Sequence, residues 1–193
     1  EEMSAKKAVL GGLAKQMTSD SIIATNTSSL SVTEIAASIE NPGRVVGMHF
    51  FNPVAKMPLV EIVRAEQTSD RTIAIIAGLT VKLGKFPIVV KDVPGFVVNR
   101  ILSPYLNETA FLIQDGYEIR DIDKAATAFG MPMGPVRLLD EVGLDVAAHV
   151  ANSMLMGYGD RMKSPPFAKM LAEKGRKGKK SRAGFYDFSE ERE

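Results

Sequence analysis

The chain has 193 residues, 45% of them hydrophobic, and carries 24 Lys and Arg against 23 Asp and Glu for a net charge of +1. That length allows one large or two small cored domains, and the balanced charge leaves no overall field to recruit nucleic acid or an acidic membrane. Cysteine is absent, which removes disulfides, thiolate nucleophiles and Cys-ligated metals, and the two histidines lie too far apart for a His-rich metal site.

The opening EEMSAKKAVLGGLAKQM reads as helix, with Val9, Leu10, Leu13 and Met17 on one stripe, so the chain reads as a fragment of something longer. A short buried strand over 22–25 follows, then the polar turn Asn26-Thr27-Ser28-Ser29 and a helix over 32–39 that Ser31 or Thr33 can cap. Asn41-Pro42-Gly43 stops that helix and starts a strand bearing His49. Glu61 interrupts the next β-branched run, and a hairpin closed by 52–58 pairs Phe51 with Leu59 and His49 with Glu61 on one face. Ser69 and Asp70 open a helix with Ile73, Ile76, Leu79 and Leu83 at helical spacing, Gly84 ends it, and 87–91 is one more strand.

The alternation of helix and strand to residue 92 predicts an α/β layer with a largely parallel sheet. From Pro94-Gly95 onward the pattern is helical, which puts the domain boundary there. A helix over 96–116 carries Val97, Ile101, Tyr105, Leu106 and Phe111 on more than one face, as in the centre of a bundle. Helices over 121–129 and 135–156 follow, divided by Gly130-Met131-Pro132-Met133-Gly134. The tail over 174–182 is basic and glycine-containing, and Gly184-Phe185-Tyr186 supplies an aromatic anchor. No apolar run approaches the ~18 residues of a membrane span and no charged-then-apolar leader opens the chain. The expectation is a soluble, intracellular protein.

His49 reads either as a hydrogen-bonded core residue or as a general base. Glu61 twelve residues on, across an Asn-Pro loop, favours the base, because a paired carboxylate fixes the tautomer and raises imidazole basicity. Ser28 and Ser29 follow a strand carboxyl end, where open α/β sheets bind ligands. One of them reads as a helix cap, and with no Gly-x-Ser-x-Gly elbow the other is assigned hydrogen bonding to substrate and not attack. Asn99, just past Pro94-Gly95, is either ordinary helix-terminus polarity or a cleft residue. The basic tail is either a solvated segment or a phosphate contact through Lys179 and Lys180. His149, among Val146, Ala147, Ala148 and Val150, reads as structural.

His49-Phe50-Phe51-Asn52-Pro53 with Leu59-Val60-Glu61, preceded by Asn26-Thr27-Ser28-Ser29-Leu30 and followed by 92–100 (DVPGFVVNR), resembles the L-3-hydroxyacyl-CoA dehydrogenase family. Met133-Gly134-Pro135, Leu138-Leu139-Asp140, Val142-Gly143-Leu144-Asp145 and Gly184-Phe185-Tyr186 resemble its helical domain, so the likeness spans nearly the whole chain. The basic tail is similar to the dehydrogenase part of bacterial multifunctional fatty acid oxidation proteins. The resemblance implies an α/β fold followed by an all-α one: a truncated, doubly wound Rossmann layer over 1–92, then a helical substrate and dimerisation domain over 93–193.

It further implies NAD-dependent oxidation of 3-hydroxyacyl-CoA to 3-oxoacyl-CoA in fatty acid β-oxidation. His49 is then the base that takes the C3 hydroxyl proton, and Glu61 orients it. Ser28 and Asn99 hydrogen-bond the substrate's oxygens, Asn26, Ser28 and Asn52 fall where the family contacts NAD, and Lys180 matches a tail lysine near the cofactor. A homodimer is implied, with no nucleic acid, membrane span or metal. The location is the cytoplasm in a bacterium, or the mitochondrial matrix or peroxisome in a eukaryote. No Gly-x-Gly-x-x-Gly fingerprint occurs, so the NAD site is expected to be incomplete and tight NAD binding is not expected. The alternatives are a non-catalytic dimerisation or assembly module derived from such an enzyme, and a β-hydroxyacid dehydrogenase of another kind, against which the His and Glu pair argues.

Overall fold

The computed structural model describes residues 2–28 and 30–190. Ser29, one of the two turn serines named above, lies outside the described residues. The chain forms two compact units, residues 1–97 and 98–193.

In the first unit, α1 (Met3–Ala14) precedes β1 (Ile23–Thr25), α2 (Val32–Ala36), β2 (Val45–Phe50), β3 (Leu59–Arg64), α3 (Asp70–Lys82) and β4 (Phe86–Lys91). The strands form one sheet in the order β1-β2-β3-β4, with β1 and β2 parallel, β2 and β3 antiparallel, and β3 and β4 parallel. The β2/β3 register sets His49 opposite Glu61, as the short loop predicts.

Side chains alternate across these strands, so β2 and β3 feed two cores. Val45, Val63 and Val90 pack with Val32, Ile35 and Phe96 on one face. Val46, Met48, Val60 and Ile62 pack with Ile73 and Ile76 of α3 on the other. His49 and Glu61 share parity with Val45 and Val63 and so belong to the first face. Gly47 allows α2 to approach there, because a Cβ would stand 2.6 Å from Val63 Cβ and 3.0 Å from a methyl of Val32.

Local capping explains the helix ends. Ser31 Oγ accepts from Glu34 N (3.2 Å), and Asp92 Oδ2 accepts from Thr33 N (2.7 Å) and from Ser31 Oγ (2.8 Å). Ser69 Oγ accepts from Thr72 N (3.2 Å), and Gly84 ends α3 at φ 72°. Arg44, buried, donates to the carbonyl of Ala14 (3.2 Å), an acceptor that the end of α1 leaves open, and to that of Thr18 (2.7 Å) beyond it. The α1 stripe is only half used: Leu10 and Met17 meet the core, whereas Val9 and Leu13 are exposed and Met17 lies beyond the helix. The helix predicted over 32–39 stops at Ala36 and gives way to turns.

The second unit consists of α4 (Val98–Gln114), α5 (Ile119–Phe129), α6 (Pro135–Val142), α7 (Leu144–Tyr158) and α8 (Phe167–Glu173) with short 3₁₀ turns. Among the described residues no helix is long and apolar enough to cross a membrane. Three expectations are corrected here. The helix read over 96–116 begins only at Val98, because Gly95 and Phe96 take φ 73° and 46°. The single helix over 135–156 is two, broken by Gly143 at φ 99°. And α4 is not enclosed on all sides within the chain, since Ile101 is 71% exposed.

The basic tail is likewise not a loose segment. Asp140, fully buried, accepts from Phe185 N (2.9 Å) and Tyr186 N (2.8 Å), and Phe188, shortly after Tyr186 in the chain, is also buried. Burial pushes the Asp140 carboxyl above its ordinary value, and the two amides pull the other way. Gly178, at φ 89°, and Gly184 both lie against Asp140, where an added Cβ would collide with it. Lys179 pairs with Glu141 (3.0 Å) and Lys180 with Asp145 (2.5 Å). Asp123 accepts from the Tyr186 hydroxyl (2.8 Å) and caps α6 through Val136 N (2.8 Å) and Arg137 N (3.0 Å).

Asp140→Ala should therefore destabilise the protein by about 3 kcal/mol, by orphaning two amide N–H groups, and Asp140→Asn by less, in chemical denaturation. Lys180→Met should cost under about 1 kcal/mol at neutral pH, since both partners are half exposed. The hydrogen bond from Lys180 holds the Asp145 carboxyl below the usual range against a smaller effect of burial. The pair's contribution is thus complete above the ordinary Asp titration range and lost as pH falls through the lowered Asp145 pKa. Denaturation midpoints of the wild type and Lys180→Met should converge in acid and in high salt.

Candidate active site

The site is built on the first face of the sheet, at the carboxyl ends of the parallel strands β1 and β2. Beyond β1, Lys6 of α1 donates to the Asn26 carbonyl (2.7 Å), Asn26 Oδ1 accepts from Phe50 N (3.4 Å), and Thr27 Oγ1 accepts from Leu30 N (3.0 Å). These bonds fix the turn that presents Ser28, whose Oγ lies 3.1 Å from His49 Nε2. On the other side of the ring, His49 Nδ1 is 2.8 Å from Glu61 Oε2. The second Glu61 oxygen, Oε1, accepts from Val97 N at 2.9 Å.

A carboxylate only accepts, so Nδ1 carries the imidazole proton and Nε2 of the neutral ring presents its lone pair towards Ser28. His49 is 4% exposed and Glu61 fully buried. The rings of Phe51 and Phe96, with centroids 4.6 and 5.6 Å from that of His49, pack against the imidazole. A buried carboxylate with an imidazole on one oxygen and a fixed amide on the other sets ring orientation, and the ring offers one basic nitrogen beside a hydroxyl.

The remaining candidates are distributed as follows. Asn26 and Asn52 are exposed, Asn52 at the start of the loop 52–58. Lys85 holds that loop from behind, donating to the carbonyls of Val54 (2.7 Å) and Met57 (3.0 Å). Asn99 is in the first turn of α4 and, within the second unit, lines an apolar cavity of about 130 Å³ with Leu102, Leu106, Leu139, Met154 and Phe167. Lys180 also belongs to the second unit, where Asp145 already engages its ammonium. Lys179 is likewise paired, with Glu141. His149, read as structural from its apolar neighbours, is exposed on α7.

Sequence reasoning missed Lys6, Asp92, Phe96 and the Val97 amide. Phe51 was accessible, because a residue two beyond His49 on a strand shares its face. Nothing in the helical or strand periodicity marks Phe96 as left-handed.

The chain matches known proteins in sequence and in fold. Residues 1–93 match the family model described as 3-hydroxyacyl-CoA dehydrogenase, NAD binding domain, and residues 95–188 match that of its C-terminal domain. The chain is 48% identical over 188 residues to the fatty acid oxidation complex subunit alpha of Idiomarina loihiensis, covering 97% of this chain and 27% of that protein. It thus spans about a quarter of the length of the curated relatives it matches. An (S)-3-hydroxybutyryl-CoA dehydrogenase from Ralstonia eutropha superposes with a TM-score of 0.94 at 38% identity, over 98% of this chain and 68% of that one. A 3-hydroxybutyryl-CoA dehydrogenase from Escherichia coli gives 0.92 at 38% identity, over 100% of this chain and 42% of the other. With matches to both domains of the family and a solved member two-thirds covered, the chain belongs to the 3-hydroxyacyl-CoA dehydrogenase family.

Proposed function

We propose that the protein carrying this chain oxidises the C3 hydroxyl of an L-3-hydroxyacyl-CoA to the 3-oxoacyl-CoA with NAD, in fatty acid oxidation. The observation that carries this reading is the imidazole with Nδ1 on Glu61 and Nε2 facing a hydroxyl at 3.1 Å. An alcohol oxygen in the place of, or beside, Ser28 Oγ would find a base aligned with its proton. As the proton passes to Nε2, the buried Glu61 carboxylate stabilises the imidazolium, and its Val97 bond keeps the carboxylate from turning away. Ser28 and Asn99 hydrogen-bond the substrate's oxygens in this reading. Near-attack geometry is their contribution.

The residues present fit the nicotinamide end of NAD. Asn26 and Ser28 follow β1 at the carboxyl edge of a parallel pair, where α/β sheets take ligands, and Asn26 and Asn52 are exposed polar groups, Asn52 close after His49 in the chain and Asn26 accepting from Phe50 N beside it. They would hold the nicotinamide end, and the bound cofactor would supply the hydride acceptor for C3. Lys180 is the weakest of the proposed cofactor contacts, because it would have to release Asp145.

The partner proposal is a homodimer through the helical unit, supported by Phe129, Met156 and Ile101, which are 89%, 80% and 71% exposed. The bacterial relatives support a cytoplasmic location.

In reduction of acetoacetyl-CoA by NADH by the whole protein that carries this chain, followed by absorbance, His49→Gln and Glu61→Gln should lose roughly 10²–10⁴-fold in kcat with unchanged circular dichroism. Wild-type rates in both variants would sink the assignment. Ile101→Glu should shift the sedimentation coefficient from dimer to monomer, and an unchanged coefficient would remove α4 from the interface.

A further inference from the structure

The segment between β4 and α4 is pinned at both ends, at one to the cap of α2 and at the other to the site. At its start Asp92 Oδ2 accepts from Ser31 Oγ and Thr33 N at 2.8 and 2.7 Å, and at its end Val97 N reaches Glu61 Oε1 at 2.9 Å. Between them Phe96 N donates to Val93 O at 2.9 Å, and Phe96 takes φ 46°. A bulky aromatic residue is an outlier in that region of backbone space, and surroundings must hold it there. The Phe96 side chain is 2% exposed, packs in the core with Val32, Val45 and Val63, and meets the imidazole of His49 edge-on at a centroid distance of 5.6 Å. One residue therefore does two things for the pair. Its backbone turns the following amide onto Glu61, and its ring covers the imidazole, with Phe51 at 4.6 Å as the other aromatic neighbour.

We propose that Phe96 is a positioning residue for the base: it holds Glu61 through the Val97 amide and keeps water from the His49–Glu61 hydrogen bond. This rests on the reading of His49 as the general base. It goes beyond that reading by assigning the alignment of the base to the connector, where the sequence pattern points only to the two strands. The connector leads directly into the first turn of α4, so Asn99 lies two residues beyond the amide that fixes Glu61. Nothing about the position requires an aromatic ring for helix formation, because Phe96 precedes α4. Leucine or methionine would fill most of the same core volume but present no ring edge to the imidazole, and glycine would accept the φ without strain while leaving the ring's space open.

The test is proton NMR of the Nδ1–H of His49, assigned by its loss in His49→Gln, together with hydrogen exchange at Val97 N in the whole protein. Neither readout needs substrate or cofactor. In the wild type both protons should exchange slowly. Phe96→Leu and Phe96→Met should fold, with exchange at Nδ1–H accelerated tenfold or more on the order expected for an opened hydrogen bond. Phe96→Gly should keep Val97 protected while Nδ1–H is lost, separating the backbone from the ring. In turnover, Leu should lower kcat by about tenfold with little change in KM, since misplacement by ~1 Å costs up to 10²-fold. A Leu or Met variant that keeps a protected Nδ1–H and wild-type kcat overturns the proposal, whatever happens to its melting temperature. If the wild type reduces no acetoacetyl-CoA the dehydrogenase reading fails, and the two exchange readouts still decide the role of Phe96.

Discussion

A carboxylate cannot sit dry in a sheet without partners, because stripping its water costs several kcal/mol that only good hydrogen bonds return. Glu61 is fully buried in β3, and what surrounds it answers to that requirement. One oxygen meets an imidazole and the other a backbone amide, so three stretches of chain must arrive together: β2 with His49, β3 with Glu61, and the connector ending at Val97. The cross-strand register, the glycine at position 47 that admits α2, and the left-handed backbone at Phe96 all serve this convergence.

Asp140 makes an instructive contrast. It too is fully buried, and both of its oxygens are taken by fixed amides, those of Phe185 and Tyr186. Neither partner can gain or lose a proton, so the arrangement is structural and its effect is to fold the basic tail against α6. Glu61 has an imidazole on one oxygen where Asp140 has an amide. Replacing one amide by an imidazole converts a buried carboxylate from a tie into half of an acid–base device.

The acid–base pair was legible because strand geometry is strict. Side chains alternate with period two, the connecting loop is short, and shifting the register by one residue would turn Glu61 or His49 to the opposite face. The helix boundaries at Phe96 and Gly143 were not legible in the same way, since both are set by positive φ, which leaves no trace in hydrophobic periodicity. Gly143 at least admits that conformation from its composition, whereas Phe96 gives no such sign. The pairing of the tail's lysines was not legible either, because they find carboxylates 38 and 35 residues earlier, and charge composition carries no information about such pairing. The Lys6 bond to the Asn26 carbonyl, across 20 residues, was hidden for the same reason.

The loop bearing Asn52 and the turn bearing Lys85 are one object mechanically. Lys85 grips the carbonyls of Val54 and Met57, and the neighbouring amide of Phe86 donates to Pro58 O at 2.8 Å, so the loop is fastened to the start of β4 at three points. Its length is consequently fixed from outside. An added or deleted residue between 53 and 58 would pull carbonyls off the lysine before it disturbed the strands. Variation in reach or shape at this rim is therefore open to side-chain exchange, with Val54 and Met57 exposed, and closed to insertion.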